Sequence, residues 1–378
     1  MRVVVINATT DLYGSNRILS LALKALPDSA VTEVWLPTLE GPFLQLLRRN
    51  NPHVAIRKCD FLPIIQRSMF SIRGMLHLVG LIVNFYLYVR KEQKHSNIEL
   101  IYINTLSNFF VLPIIRFMGI KSILHVHEIL EQPKLVAKFI SIFAVRWANN
   151  VLCVSRAVKM GLEKWQDAPL PAKVTVIHNG IPSLEVPRKE ADRSGEILVT
   201  LIARIMPEKG IWYFLDALKE VKSYDIIRAR IIGGPAPMRD SYVDLLKEDI
   251  LNLKVKVEYF PFVIDVRDYL NETDVLVVPS LMKDPFPTTV LEGLSCGKVV
   301  LATNNGGASE VIQNHVNGIL ISPHNPAEFA RSLDVLATDQ ALRKKLGEAG
   351  KAVYEEMYSD KIYLENLKDY FNVSVGSY

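Results

Sequence analysis

The chain has 378 residues, 49% of them hydrophobic and 22% charged, and a formal net charge of +4. That is enough for two domains of ordinary size, with a composition ordinary for a soluble globular protein and slightly apolar. The three cysteines (Cys59, Cys153, Cys296) lie far apart in no metal or disulfide pattern, and they are expected to be reduced.

In chain order, the opening residues MRVVVINATT read directly as a core strand. On this reading no signal peptide is expected, and with the cysteines expected to be reduced the protein is expected in the cytoplasm. The runs RVVVINA, VTEVWLP, VAIRKC, IELIYIN, KSILHVHE, NVLCVS and KVTVIHN are strand-like, and helical patterns such as NRILSLALKAL and FVLPIIRFMG fall between several of them. Such alternation predicts a parallel sheet with helices on both faces. The stretch MLHLVGLIVNFYLYV, 75–89, is short of the roughly 20 apolar residues that span a bilayer and is interrupted by His77 and Asn84. It precedes a strand, so a buried crossover helix is expected and no transmembrane segment.

Charge is unevenly placed. Residues 1–185 carry 21 Lys and Arg against 12 Asp and Glu, a net of +9, and residues 186–378 carry 23 against 28, a net of −5. Within 45–94 there are nine basic residues and two acidic ones, interleaved with Met69, Phe70 and Ile72. Such an excess suits an anionic surface, either membrane or nucleic acid, or else it is a solvated basic face. No nucleic-acid motif accompanies it.

The polar, aperiodic segment PSLEVPRKEADRSGE, 182–196, reads as a linker. Beyond it EILVTLIAR, IIRARIIGG, KVKVEYF, DVLVVPS, KVVLAT and NGILIS repeat the strand pattern, with helices such as IWYFLDALKEV and PAEFARSLDVLAT among them. The expected organisation is α/β throughout. A Rossmann-like domain at 1–185, a linker at 186–196 and a second Rossmann-like domain at 197–355 would leave a cleft at the carboxyl ends of both sheets, where such sheets bind ligands. A last helix, within 356–378, is expected to pack back toward the first domain.

Chemistry concentrates at strand ends. In LIARIMPEKGIWYFLDAL, 201–218, Arg204 and Lys209 stand five positions apart before an amphipathic helix, an arrangement that can grip a diphosphate. In DPFPTTVLEGLSCGKVV, 284–300, Asp284 and Glu292 stand eight apart. Pro285 and Pro287 make a continuous helix from 284 unfavourable, and Pro287 suits a first helical position. Asp284 is therefore expected on a loop and Glu292 one turn into a helix. Between them lies a helix N-terminus, where the amides of Thr288 and Thr289 can face a phosphate.

The run R-x-x-P-E-K-G at 204–210, followed by VPSLMKDPFPTTVLEGLSCGKVV at 278–300, resembles the glycosyltransferases of family 4. The resemblance covers nearly the whole chain and is most specific over 197–312. It implies the GT-B fold and a metal-independent, retaining transfer of sugar from a nucleotide-diphosphate sugar to a glycan or lipid-linked acceptor, in surface polysaccharide or glycolipid assembly. It further implies that Glu292 holds the ribose and Asp284 the donor sugar, where the family more often has Glu. Arg204 and Lys209 then assist departure of the diphosphate, and Phe286, Thr288 and Thr289 join the donor site. Gly14 and Ser15, after the first strand, resemble the family's glycine loop, which more often has two glycines. His127 and Glu128 resemble its His-[Asp/Glu] pair, with His127 facing the donor sugar, although His125 shares its strand face and is an alternative contact. Asn104 and Thr105 match positions on the acceptor side, with Glu128. Gly306 and Gly307 form either a plain turn or part of the ligand site. No cofactor and no metal are expected, and the protein is placed in the cytoplasm or peripherally on the inner face of the membrane. A nucleotide-sugar epimerase and a non-catalytic nucleotide-sugar-binding subunit are the alternatives.

Overall fold

A computed structural model describes residues 1–65, 71–185, 195–235 and 239–375. The chain divides into two units, Met1–Asn179 with Lys361–Tyr378, and Gly180–Asp360. The first holds strands β1 (Arg2–Ile6), β2 (Val31–Leu36), β3 (Ala55–Lys58), β4 (Leu100–Ile103), β5 (Lys121–Val126), β6 (Asn150–Cys153) and β7 (Val174–Val176). The second holds β8 (Ile197–Ile202), β9 (Ile227–Ile232), β10 (Lys256–Phe260), β11 (Val275–Val278), β12 (Val299–Thr303) and β13 (Ile319–Ile321). Every run read as a strand from the sequence is a strand. The linker expected at 186–196 falls, as far as residue 194, outside the described residues.

All pairings are parallel, in the order β3-β2-β1-β4-β5-β6-β7 in one sheet and β10-β9-β8-β11-β12-β13 in the other. Helices cover both faces of such sheets, so central strands lose both sides to the interior and read as unbroken apolar runs. β1 (RVVVI) is buried at every residue, as is β12 (VVLAT). Each such Val or Ile withdrawn from water contributes about 1.5–3 kcal/mol. The edge strands β3 (AIRK) and β10 (KVEYF) instead have no fully buried residue and expose charged side chains, which discourages pairing with another chain.

In each sheet the strand order reverses once, between β1 and β4 and between β8 and β11. Ligands of doubly wound sheets bind outside the carboxyl ends of the strands at that reversal. The two reversals locate where a site belongs in each unit.

The crossover from β3 to β4 is a 24-residue helix, Ile72–His95. It corrects the expectation of a buried helix. Only Phe85 and Val89 are fully buried, whereas Ile72, Leu76, Val79, Val83 and Leu87 are 48–75% exposed. By length and composition this helix is apolar enough to cross a membrane. Its buried side is bolted to the sheet. Glu92 pairs with Arg2 and with Arg57, which also reach Glu33 on β2. The C-terminal helix Asp360–Val375 buries Tyr363, Leu367 and Phe371, and the Phe371 ring meets Tyr102 of β4 edge to face at 6.0 Å.

Candidate functional site

In the second unit the two strands flanking the reversal carry the two motifs. Arg204 follows β8, and a short 3-10 turn, Pro207–Lys209, ends in Gly210 with φ 75° and ψ 24°. Left-handed backbone of this kind favours glycine. A Cβ here would also stand 1.8 Å from the Pro279 carbonyl oxygen, beyond the end of β11. The turn is fixed from the same side by the amides of Leu281 and Met282, which both donate to the Glu208 carbonyl at 3.0 and 3.1 Å. The loops of β8 and β11 are therefore one rigid piece.

That piece brings Lys209 and Asp284 together. The Lys209 ammonium pairs directly with the Asp284 carboxylate, both side chains being less than a fifth exposed. The family resemblance assigns them to different parts of a ligand, Lys209 to the diphosphate and Asp284 to the sugar. Arg204 is half-buried, and its charge helps hold the Glu208 carboxyl below the usual range, behind the hydrogen bond that group makes locally and the contribution of Arg239.

The helix Thr288–Ser295 begins one residue later than expected, with Pro287 as its extended cap rather than its first residue. The proline therefore sets the approach of the chain, and the first turn belongs to Thr288 and Thr289, both half-buried. Their amides are among the orphan donors of the helix start, where partial positive charge gathers. Glu292 is 7% exposed, so it is not an ordinary solvated helical acid. Phe286 is buried with its ring 5.8 Å from that of Tyr358 and wedges the loop against the helix layer.

Gly306 and Gly307 belong to the support of this loop. The Gly307 amide donates to the Asp284 carbonyl at 2.8 Å. A Cβ on Gly306 would lie 2.2 Å from that carbonyl, and one on Gly307 2.3 Å from the Pro285 carbonyl. Their lack of side chains lets the loop after β12 buttress residues 284–286. The double glycine was visible in the sequence, but its partner was not.

A cavity of about 750 Å³ in this unit lies elsewhere, lined by Asp274, Lys298 and Arg343 among others. Asp274 and Lys298 immediately precede β11 and β12, so this cavity sits at the amino ends of the strands. It touches the tail of the second motif at Cys296–Val299 but none of Arg204, Lys209, Asp284, Thr288 or Glu292, and it is not the candidate site. Among the described residues there is no group of three His, Cys, Asp or Glu side chains suited to a metal ion.

In the first unit the ends of β1, β4 and β5 meet in a chain of hydrogen bonds. His127 Nε2 lies 3.1 Å from Asn104 Oδ1, Asn104 Nδ2 donates to Asn7 Oδ1 at 3.0 Å, and Asn7 Nδ2 donates to Asn16 Oδ1 at 2.9 Å. Asn16 Nδ2 in turn donates to the Asp11 carbonyl at 2.8 Å, closing the loop ahead of the helix that starts at Gly14 and Ser15. With the amides so oriented, His127 carries its proton on Nε2 and keeps Nδ1 as an acceptor. Removal from solvent lowers its pKa to about 3, so the ring is neutral at neutral pH. Asn104 is 1% exposed, and its amide is spent on holding His127 in place. Sequence reasoning missed Asn7 and Asn16, which have no local signature.

Glu128 accepts from the Thr105 hydroxyl and from the amides of Leu106 and His127, at 3.3 and 3.0 Å. Burial raises its pKa against the opposing effect of those bonds. Of the two histidines, His125 is fully buried against the Tyr102 hydroxyl, and burial, with the second imidazole of His127 beside it, holds its pKa well below the ordinary value. It is removed as a candidate contact. Its ring instead supports His127 from behind, with centroids 4.0 Å apart.

Two family models match in tandem, one described as glycosyltransferase family 4 over residues 44–183 and the other as glycosyl transferases group 1 over residues 183–353. The chain belongs to this group 1, family 4 class of glycosyltransferases. Two uncharacterized glycosyltransferases of Methanocaldococcus jannaschii are 29% and 26% identical over 58% and 61% of this chain, and the matches span only 59% and 62% of those proteins. The Escherichia coli UDP-Gal:alpha-D-GlcNAc-diphosphoundecaprenol alpha-1,3-galactosyltransferase is 25% identical over 75% of each chain. Among solved structures, HepE of Anabaena in complex with UDP and glucose superposes with a TM-score of 0.81 at 20% identity, covering 99% of this chain and all of that one. The chain thus has the GT-B architecture of two parallel-sheet α/β units.

Proposed function

We propose that the protein is a retaining glycosyltransferase that moves a sugar from a nucleoside-diphosphate sugar to a glycan or lipid-linked acceptor. The observation that carries this reading is the rigid piece at the β8–β11 reversal, which gathers Arg204, Lys209 and the amino end of helix Thr288–Ser295. Arg204, the helix amides and Lys209, whose charge Asp284 partly offsets, match the charge that develops on a departing diphosphate. Such charge, fixed in advance, stabilises the transition state without reorganisation. Relatives support the substrate class, since the Escherichia coli enzyme is named for a UDP-sugar donor and a diphosphoundecaprenol acceptor, and HepE was solved with UDP-glucose.

In the proposed reaction the bond from the anomeric carbon to the diphosphate oxygen breaks, and the acceptor hydroxyl attacks on the face the leaving group vacates. The acceptor proton passes to the departing phosphate oxygen, so no protein base is needed. Glu292 takes the ribose hydroxyls and Asp284 those of the sugar. Neutral His127 accepts a hydrogen bond from a sugar hydroxyl through Nδ1. Glu128, with Thr105 and Asn104, shapes the acceptor side.

Arg204, Lys209 and the helix amides supply the countercharge that a metal supplies in other transferases. Release of nucleoside diphosphate, measured across a panel of nucleotide sugars, should therefore identify a donor and should continue in excess EDTA. Loss of release with EDTA, restored by magnesium or manganese, would contradict the metal-independent part. No release from any donor, with or without a lipid-linked acceptor, would contradict the enzyme itself.

A further inference from the structure

The helix Ile72–His95 lies beside Val111–Phe117, which lies beside Lys134–Trp147, so the three form one layer on the first sheet. The outward side of this layer is apolar to an unusual degree. Ile72, Leu76, Val79, Val83 and Tyr86 recur every three or four residues, so they run as one stripe along the exposed face of the long helix. Met75 and Leu87 widen it, at 52% and 53% exposed. The neighbouring helices add Phe117 at 80%, Leu135 at 84% and Phe139 at 52% exposed. Apolar area of this extent on a soluble surface marks a contact with something else.

Charge identifies what that contact is. The three helices carry eight Lys and Arg residues and one acid, Glu92. Glu92 is turned inward to Arg2 and Arg57. Arg73, Arg90, Lys91 and Lys94 are exposed at the two ends of the apolar stripe, and Arg116 and Arg146 stand in the last turns of the other two helices. Of the eight, Lys138 is offset by the exposed Asp167 at 3.9 Å. Exposed apolar residues bordered by the remaining cations match the acyl and phosphate levels of an anionic bilayer. A second copy of the chain on this face would bring eight more cations against the first eight.

We propose that this three-helix layer is a docking surface for an anionic lipid bilayer, with the helix Ile72–His95 lying on the membrane and not through it. Phe85 and Val89 are fully buried in the unit, and Glu92 is ion-paired with the start of β1, so the helix cannot leave its sheet to insert. The surface also differs from the basic stretch read in the sequence. Arg57 is consumed internally, Lys58 pairs with Asp60, and Arg48 and Arg49 lie on Pro42–Asn50, which packs beside Gly14–Ala22 instead. Arg67, Met69 and Phe70 fall outside the described residues.

The test is co-sedimentation with vesicles of phosphatidylcholine alone or mixed with phosphatidylglycerol, at low and high salt. The parent should bind the anionic vesicles at low salt and release at high salt, because screening shortens the reach of each charge. The triple variant Arg90→Gln, Lys91→Gln, Lys94→Gln should bind about 10²-fold more weakly, since each surface cation contributes about a fivefold factor. The triple variant Leu76→Gln, Val83→Gln, Leu87→Gln should also lose binding, while both keep the parent's melting temperature and nucleoside-diphosphate affinity. That control separates this proposal from the catalytic one. Equal binding to both vesicle types, no binding at low salt, or unchanged binding by both variants would overturn it. So would a parent dimer that the apolar variant dissolves.

Discussion

Replacing either Arg204 or Lys209 with Ala is expected to lower sugar-transfer turnover about 10²-fold or more, as loss of a charge-stabilising contact does. The expectation rests on placement. Arg204 leaves the end of β8 at the strand reversal, and Lys209 is held by a turn whose Glu208 carbonyl is gripped by two amides from the loop after β11. The Lys209–Asp284 pair adds a second effect. Without Lys209, Asp284 presents an uncompensated carboxylate to an anionic ligand, so Lys209→Ala should raise KM for the donor more than Arg204→Ala does. The measurement is steady-state kinetics on the donor found active, with thermal unfolding confirming the fold. Turnover within a few-fold of the parent in both folded variants would refute the phosphate grip.

Gly210→Ala is expected to damage stability rather than chemistry alone. An L-residue held at φ 75° costs about 1–2 kcal/mol. The added Cβ would also overlap the Pro279 carbonyl oxygen, 1.8 Å away, so the β8 and β11 loops must separate. A total of about 3 kcal/mol or more is expected, which for a unit of this size lowers the melting temperature by about 6–12 °C. Gly80→Ala is the contrast. It sits on the helix Ile72–His95 with nothing within 4 Å of an added Cβ, and it should be neutral or slightly stabilising. Calorimetric unfolding of the two variants decides this. Equal melting temperatures would mean that the two loops are not rigidly joined.

The sheets were legible because strands buried on both faces leave no polar alternation to decode. RVVVI, LIYI and VLVV could hardly be anything else. The two strand-end motifs could be picked out because they are short and local. The exposed side of Ile72–His95 was not, because an apolar run reads the same whether protein covers it or not. The His127 network was hidden for a different reason. Asn104 and Asn7 are 97 positions apart, and only the β1–β4 pairing brings their amides together. The burial of His125 likewise follows from where β5 ends. The strand stops at Val126, leaving His125 locked inside against Tyr102. The Lys209–Asp284 pair also needed the structure, since it depends on the backbone contact that Gly210 permits.

Titration calorimetry with uridine diphosphate, and with the other nucleoside diphosphates in parallel, tests the site at the β8–β11 reversal most directly. The parent should bind one of them. Glu292→Gln should weaken that binding roughly tenfold or more, because a nearly buried carboxylate holding a ribose makes charge-assisted hydrogen bonds. Asp284→Asn should leave the affinity unchanged or raise it, because Lys209 is released from its carboxylate partner toward the phosphates. Equal losses in both variants would contradict the division between ribose and sugar. No binding of any nucleoside diphosphate by the folded parent would contradict the site itself.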